Sequence, residues 1–160
     1  MGTSSRDFDV ALRDARTFKY DSGCAVARGR MVTARIEMAL ILLVDDDEST
    51  LEGWRAALSL THEVITACNG IDAWERLQTQ TVDAVVADLR MPRMSGGVLC
   101  EKIREHARMG AMPVVLVSGE LSPPAFVRYD SYLRKPLDPR QLQETIERLL
   151  SQGSSLRRTL

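Results

Sequence analysis

The chain contains few of the residues on which disulfide-bonded and zinc-binding proteins depend. Its 160 residues include only three cysteines and two histidines, and no two cysteines stand in a C-x-x-C pair. This number and spacing argue against a disulfide framework and against a zinc site. We expect Cys68 and Cys100 to be small, buried apolar residues instead.

Long apolar runs and an excess of one charge are also lacking. The longest apolar run, 38–44, is too short to cross a bilayer, and 1–7 lacks the apolar core of a secretory signal. A net charge of −1 argues against nucleic acid as the main partner. With 44% hydrophobic and 27% charged residues, the composition is that of a soluble globular protein. We expect a cytoplasmic protein that binds no membrane and does not bind nucleic acid directly.

The first 37 residues differ from the rest, because they hold few branched aliphatic residues and no sustained hydrophobic period. We predict a disordered N-terminal extension over 1–37, one folded domain over 38–152 and a flexible tail over 153–160. A docking arm is the alternative for 1–37. Met31 and Met38 both precede the first strand, so the true start codon is open too.

From Met38 onward, short apolar runs alternate with amphipathic stretches. The runs predict strands over 39–44, 63–67, 84–87, 113–117 and 132–134, and the stretches predict helices over 49–60, 71–80, 98–109 and 138–151. Ser49 or Thr50 is expected to cap the first helix, and Asp138 the last, with Pro139 at its first position. This alternation predicts an α/β fold with a doubly wound, five-stranded parallel sheet covered on both faces.

The helical spacing also predicts which residues face the core. The inward set is Leu51, Trp54, Ala57 and Leu58, then Ile71, Trp74 and Leu77, then Val98, Leu99, Ile103 and Ala107, and finally Leu142, Ile146, Leu149 and Leu150. Gly96-Gly97 is expected in a loop. Between the fourth and fifth strands, Pro123-Pro124 disfavours a helix interior. A fourth helix there would be shortened or irregular, at most a turn or two over 125–128.

Polar residues stand where four of the five strands end. Asp45, Asp46 and Asp47 follow the first, Asp88 the third, Ser118 the fourth, and Lys135 the fifth. Carboxyl ends of parallel strands line one sheet edge, where ligands bind in such folds. Crowded carboxylates there need a cation, and Mg²⁺ prefers oxygen ligands. Each residue alone could be a cap or a solvated turn residue, but together they predict a site that handles phosphate.

Lys135 and Ser118 supply the remaining chemistry of such a site. The ammonium can pair with Asp88 or with its phosphorylated form, and the hydroxyl can donate to a phosphoryl oxygen. An aspartate can itself act as the nucleophile towards phosphorus.

The stretches 41–47, 85–96, 115–119 and 132–136 resemble the motifs of the receiver domain of two-component response regulators, in order and in spacing. The resemblance spans about residues 38–150 and implies a flavodoxin-like strand order of 2-1-3-4-5. It implies that Asp88 is the phosphoacceptor and that Lys135 pairs with the phosphoryl group. It further implies that Asp45, Asp46, Asp88 and the backbone carbonyl of Arg90 hold Mg²⁺. Ser118 and Tyr132 match the switch hydroxyl and the rotating aromatic.

By the same resemblance, the phosphoryl donor is a sensor histidine kinase or a histidine phosphotransfer protein. We expect a stand-alone receiver that signals by docking to an unidentified effector and that catalyses only its own phosphorylation and dephosphorylation. A monomer and a homodimer are both open. A degenerate receiver acting as a scaffold, or a receiver cut from a larger regulator or hybrid kinase, is the alternative. A haloacid-dehalogenase-like phosphohydrolase would need an aspartate where Arg90 stands.

Two further expectations concern residues beside the motifs. Arg90 and Glu120 stand two residues beyond Asp88 and Ser118, where the resemblance implies positions that flank the entry path of the hydrolytic water. We predict that they form an ion pair covering the phosphoryl group and slowing its hydrolysis; two independent, solvated side chains are the alternative. Trp54 and Trp74 lie outside the motif loops, so a small change in their fluorescence on titration with beryllofluoride and Mg²⁺ would be ambiguous.

Overall fold

The structure, a computed structural model, describes residues 38–157, with side chains described as far as Gln152. The predictions for residues 1–37 and 158–160 lie outside the described residues. Five strands alternate with four helices: β1 Leu40–Val44, α1 Glu48–Leu58, β2 Glu63–Ala67, α2 Gly70–Thr79, β3 Ala84–Asp88, α3 Gly96–Glu105, β4 Val114–Ser118, β5 Ser131–Arg134 and α4 Pro139–Arg157.

The strands form a single parallel sheet in the order β2-β1-β3-β4-β5, which confirms the predicted fold class. The register sets their carboxyl ends side by side. Val44 of β1 lies beside Ala87 of β3, and Asp88 lies beside Val117 of β4. Because Ser118 pairs with Arg134 of β5, the ends of all these strands meet at one edge.

The core consists of two apolar clusters, one on each face of the sheet. Alternate residues of the central strands point to opposite faces, as strand geometry requires. One face packs against α2 and α3 and includes the fully buried Leu42, Val85 and Leu116; the other packs against α1 and α4 and includes the fully buried Ile41 and Val86. Each such side chain contributes about 1.5–3 kcal/mol by leaving water. Because both faces of the sheet are packed, the core holds the carboxyl ends of the strands in place.

The predicted helix faces were partly wrong. Ile71 is 41% exposed and Val98 is 53% exposed, because α2 buries the face of Ala73 and Leu77, and α3 that of Leu99, Cys100 and Ile103. Ala107 is exposed as well, since α3 ends at Glu105.

Several helix starts and ends also differ from prediction. Asp47 caps α1, rather than Ser49 or Thr50, and the hydroxyls of both residues donate to its carboxylate. Gly96-Gly97 forms the first turn of α3 after the cap Ser95, not a loop. The last helix continues to Arg157 rather than ending at residue 151. Its start was predicted correctly: the carboxylate of Asp138 accepts the N–H of Arg140.

The two described cysteines have different environments. Cys100 is buried on α3 as predicted, and burial raises the pKa of its thiol to about 11, so it is an unreactive core residue. Cys68 is exposed, contrary to prediction, because β2 and its last buried residue end at Ala67.

The connection between β4 and β5 contains no helix. Over 119–130 the chain makes only bends and a turn at 125–126, so the expected shortened helix is reduced to that turn. Side chains of α3 hold the end of this segment: Glu101 accepts the N–H of Arg128, and Arg104 donates to the Arg128 carbonyl. Among residues 38–157, no helix combines the length and the apolarity that a membrane span needs.

Candidate functional site

The ammonium of Lys135 joins two of the predicted acids. Its Nζ atom lies 2.8 Å from Oδ2 of Asp45 and 2.7 Å from Oδ1 of Asp88. Asp45 is 1% exposed and Asp88 is 5% exposed, so both carboxylates are almost removed from water. Residues at the ends of β1, β3 and β5, distant in sequence, thus form one ionic cluster at the carboxyl edge of the sheet.

The electrostatics of Asp88 reflect its burial. Desolvation raises the pKa of its carboxyl above the usual range, and the nearby Asp45 charge adds to this. The hydrogen bond and charge of Lys135, together with the N–H of Arg90 at 2.8 Å from Oδ2, act in the opposite direction. The carboxylate is therefore held in a dry position by a cation and a backbone donor.

Lys135 is the group that compensates the two acids. Burial by itself would lower the pKa of its ammonium, but hydrogen bonds to Asp45 and Asp88 outweigh this and raise the pKa. Lys135 is thus protonated at neutral pH, and a single positive charge faces two carboxylates.

The three aspartates after β1 have different roles. Asp45 points into the cluster, and its Oδ1 accepts the N–H of Asp47 at 2.9 Å. Asp46 is exposed. Asp47 caps α1, and hydrogen bonds from the hydroxyls of Thr50 and Ser49 lower the pKa of its carboxyl. Asp47 therefore serves the helix rather than the site.

Ser118 and Tyr132 meet at Glu120. The Oγ atom of Ser118, which is 2% exposed, accepts the N–H of Glu120 at 3.2 Å. The hydroxyl of Tyr132 donates to the carbonyl of Glu120 at 2.9 Å. The two residues predicted as the switch are therefore both bonded to the backbone of Glu120, in the β4–β5 connection.

The predicted Arg90–Glu120 ion pair is present. Its side chains are exposed by 77% and 38%, so the pair lies at the surface of the site. A cavity of about 580 Å³ opens beside it, lined by Leu89, Arg90, Met91, Ser95 and Glu120.

The contacts of two neighbours of the site were not predicted from the sequence motifs. Gly96 packs directly against the backbone of Asp88: a Cβ atom there would overlap the Asp88 carbonyl oxygen and lie 3.0 Å from its carbon. Trp54 of α1 lies under Lys135, whose Nζ is 5.5 Å from the ring centroid. Trp54 lies outside the motif loops in the sequence, yet its ring lies beside the site. The order of the motifs carried no signal for this contact, because helix packing creates it.

The donor set of the site suits Mg²⁺ rather than a softer metal. Asp45 and Asp88 present buried carboxylate oxygens whose charge is only partly balanced by Lys135. Among residues 38–152, no three acidic, histidine or cysteine side chains are placed to hold a metal on their own. Mg²⁺ commonly binds through one or two carboxylates and keeps water ligands, so two buried acids fit this ion.

Comparison with known proteins decides the family. Residues 41–147 match the model of the response regulator receiver domain. The chain belongs to this family. Two-component signalling is thus its setting, and the family gives a histidine kinase as the general kind of partner of a receiver.

Several relatives resemble this receiver along most of its described part. Response regulator Rre1 of Synechocystis is 33% identical over 118 residues, which are 69% of this chain and 51% of Rre1, so the chain spans about half that relative's length. A chemotaxis protein CheY homolog of Campylobacter jejuni is 31% identical over 71% of this chain and 94% of its own. The crystal structure of a putative response regulator from Chloroflexus aurantiacus superposes with a TM-score of 0.69 at 26% identity, covering 72% of this chain and 99% of that one.

Proposed function

We propose that this receiver accepts a phosphoryl group on Asp88 from a sensor histidine kinase or a histidine phosphotransfer protein. The observation that carries the proposal is the shared ion pair: one ammonium, Lys135, bound to two buried carboxylates, Asp45 and Asp88. A purely structural pair needs only one acid. With a second buried acid, the two carboxylates carry more negative charge than the one ammonium balances. This suits a cluster that binds a cation and gains a phosphoryl group.

The chemistry follows from the positions of these groups. A carboxylate oxygen of Asp88 attacks phosphorus, the bond from phosphorus to the donor nitrogen breaks, and the imidazole of the donor leaves. Lys135 stabilises the charge that spreads over the phosphoryl oxygens. Asp45, Asp46, Asp88 and the Arg90 carbonyl would hold Mg²⁺, which when bound neutralises further charge on those oxygens. The protein would catalyse only its own phosphorylation and dephosphorylation.

The response to phosphorylation would pass through Glu120. The modification adds a charge of about −1.5 to −2 and three strong acceptors. Ser118 would turn its hydroxyl towards the new oxygens, giving up the N–H of Glu120. Since the hydroxyl of Tyr132 is bonded to the carbonyl of the same residue, the ring of Tyr132 would move when the backbone of Glu120 moves. The altered surface would then dock an effector protein in the cytoplasm.

Intact-mass measurement with acetyl phosphate and Mg²⁺ tests the assignment. The parent protein should gain one phosphate, and Asp88→Asn should gain none because the amide is not a nucleophile. Asp83→Asn is the matched control: this aspartate lies just before β3, at the opposite end of that strand, and accepts the N–H of Leu40. An undiminished adduct on Asp88→Asn would refute the proposal, and a parent protein that takes up no phosphate would favour the scaffold alternative.

We also propose that the Arg90–Glu120 pair slows loss of the phosphoryl group by shielding it from water. Support comes from the formed ion pair at the mouth of the site. An Arg90→Ala, Glu120→Ala double variant should lose its phosphate faster than the parent protein. The control is Arg76→Ala, which breaks a surface pair with Asp72 on α2. Equal phosphoryl lifetimes in the double variant and the parent would contradict the shielding.

A further inference from the structure

Trp54 is an unusual neighbour for a charged lysine of this site. It stands on the inward face of α1, is 7% exposed, and belongs to the apolar cluster that includes Leu51, Leu58 and Ile146. Its indole is thus fixed by packing, and the Nζ atom of Lys135 lies 5.5 Å from the ring centroid. This separation falls within the range of about 6 Å in which a cation is attracted by an aromatic face.

The hydrogen-bonding capacity of Lys135 leaves room for this contact. An ammonium has three N–H donors. Two are directed to Asp45 and Asp88 at 2.8 and 2.7 Å. The face of an indole carries negative electrostatic potential, so it attracts the third N–H of the ammonium. Lys135 therefore has a carboxylate on two sides and an aromatic ring on a third.

A fixed ring matters because the lysine side chain is long. Its four-carbon stem can adopt many rotamers, and the side chain of Lys135 is 31% exposed, so water competes for its ammonium. Electrostatic stabilisation of a reaction is strongest when the charge is in place beforehand. A ring that restricts the ammonium to the side of Asp45 and Asp88 keeps it where the phosphoryl oxygens arrive.

We propose that Trp54 is a positioning residue that holds the Lys135 ammonium at Asp45 and Asp88 through a cation–π contact. The effect of this positioning on phosphorylation rests on the function proposed above. The competing explanation is that Trp54 only fills space in the core. The two explanations differ in one respect: packing needs volume, whereas positioning needs an aromatic face.

The first measurement detects the contact without any phosphorylation. In NMR spectra of the parent protein, the Cε protons of Lys135 should be shifted upfield by the ring current of Trp54. The shift should persist in part in Trp54→Phe and disappear in Trp54→Leu. Ordinary chemical shifts of these protons in the parent protein would overturn the proposal, whatever the protein does with phosphate.

The second measurement compares rates of phosphorylation by acetyl phosphate with Mg²⁺. A cation–π contact contributes about 0.5–1 kcal/mol at exposed sites, which corresponds to about a two- to fivefold change in rate. Trp54→Leu should be slower than the parent protein by about that factor, while Trp54→Phe should recover most of the loss. Leucine and phenylalanine both shorten the side chain, so the comparison separates aromatic character from lost volume.

Leu58→Ala is the control for packing, since it removes a fully buried side chain one turn further along α1. It should lower the free energy of unfolding without slowing phosphorylation. Equal rates in Trp54→Leu and Trp54→Phe, or an equal slowing in Leu58→Ala, would show that Trp54 only packs and would overturn the proposal. A parent protein that takes no phosphate but shows the upfield shift would defeat the proposed function and still support the contact.

Discussion

Asp88 is subject to two opposing demands at the scale of a single residue. As the proposed nucleophile it must be ionised, yet it is 5% exposed and lies near a second acid. Burial raises its pKa, and the ammonium of Lys135 only partly offsets this. The ionised carboxylate is therefore a source of instability that the fold tolerates at its functional edge.

This conflict predicts how stability depends on pH. Because the folded-state pKa of Asp88 lies above its unfolded value of 3.8, the native state binds more protons between the two values, and stability falls as pH rises through that window. Asp88→Asn does not titrate there. Its free energy of unfolding should exceed that of the parent protein by an amount that grows with pH across the window and then levels off. Urea titrations in EDTA measure this difference.

Asp47→Asn provides a control of opposite sign. The carboxylate of Asp47 is exposed, and its pKa is lowered by the hydroxyls of Thr50 and Ser49. Its contribution to stability is present above the unfolded pKa and is lost as pH falls. The free energy of unfolding of Asp47→Asn should therefore fall below that of the parent protein by more at neutral pH than at low pH. A pH-independent difference for Asp88→Asn would contradict the role of burial.

At the scale of elements, the first turn of α3 positions Asp88, the proposed phosphoacceptor. Gly96 lies against the main chain of Asp88, and its N–H donates to the carbonyl of Leu89 at 3.2 Å. A side chain at this position would have to displace backbone atoms, which a rigid strand end resists. The glycine therefore sets how closely α3 approaches the end of β3.

Gly96→Ala should accordingly destabilise the protein by about 1–3 kcal/mol, the usual cost of overpacking, and slow phosphorylation by moving Asp88. Thermal unfolding and acetyl phosphate labelling are the measurements. Gly97→Ala is the matched control, because a Cβ there would make ordinary contacts, the nearest at 3.5 Å from Leu89. It should be neutral or slightly stabilising. Equal effects at the two glycines would refute the close-approach argument.

Arg104 of α3 has a comparable role for the connection between β4 and β5. Its side chain is 9% exposed and donates to the carbonyls of Arg128 at 2.6 Å and Met112 at 2.7 Å, besides pairing with Asp130. The segment that carries Glu120 is thus anchored at its far end to α3.

Arg104→Met should cost about 1.5–3 kcal/mol, because the half-buried carbonyls of Gly110 and Met112 lose a charged donor. Hydrogen exchange over 119–130 should speed up. Arg128→Met is the control: its side chain is 60% exposed, its ion pair with Glu101 is 3.5 Å long, and its loss should cost under about 1 kcal/mol. Unchanged exchange in Arg104→Met would argue against anchoring.

For the whole molecule, the site is a product of sheet assembly. Asp45, Asp88, Ser118 and Lys135 each follow or end a different strand, and the strands meet only because the chain crosses over both faces. A ligand that binds this edge therefore binds the folded state alone and stabilises it by mass action.

Beryllofluoride with Mg²⁺, a stand-in for the phosphoryl group, should raise the Tm of the parent protein. At a concentration about 100 times Kd the gain is about 2.7 kcal/mol, which corresponds to roughly 5–20 °C for a domain of this size. Asp88→Asn should show no such rise. A Tm that does not respond in the parent protein would count against a competent phosphoryl site.

The sequence by itself determined the sheet and the choice of residues proposed for the site, because both depend on local patterns. Five apolar runs with polar residues at their ends allow few parallel topologies, and the polar ends of such strands converge whatever the details of packing. Asp45, Asp88, Ser118 and Lys135 could thus be named from the order of the motifs, and the Arg90–Glu120 pair from its spacing.

Only the tertiary structure decided which helix face is buried and what surrounds Lys135. The faces of α2 and α3 depend on where each helix begins, a matter of caps and of neighbours such as Gly96 that no hydrophobic period records. The ring of Trp54 reaches Lys135 across about 80 residues of sequence because α1 follows β1, and the side chain of Lys135 extends to Asp45 at the end of that strand. Such a contact arises from the packing of whole elements, so it exists only once the chain has folded.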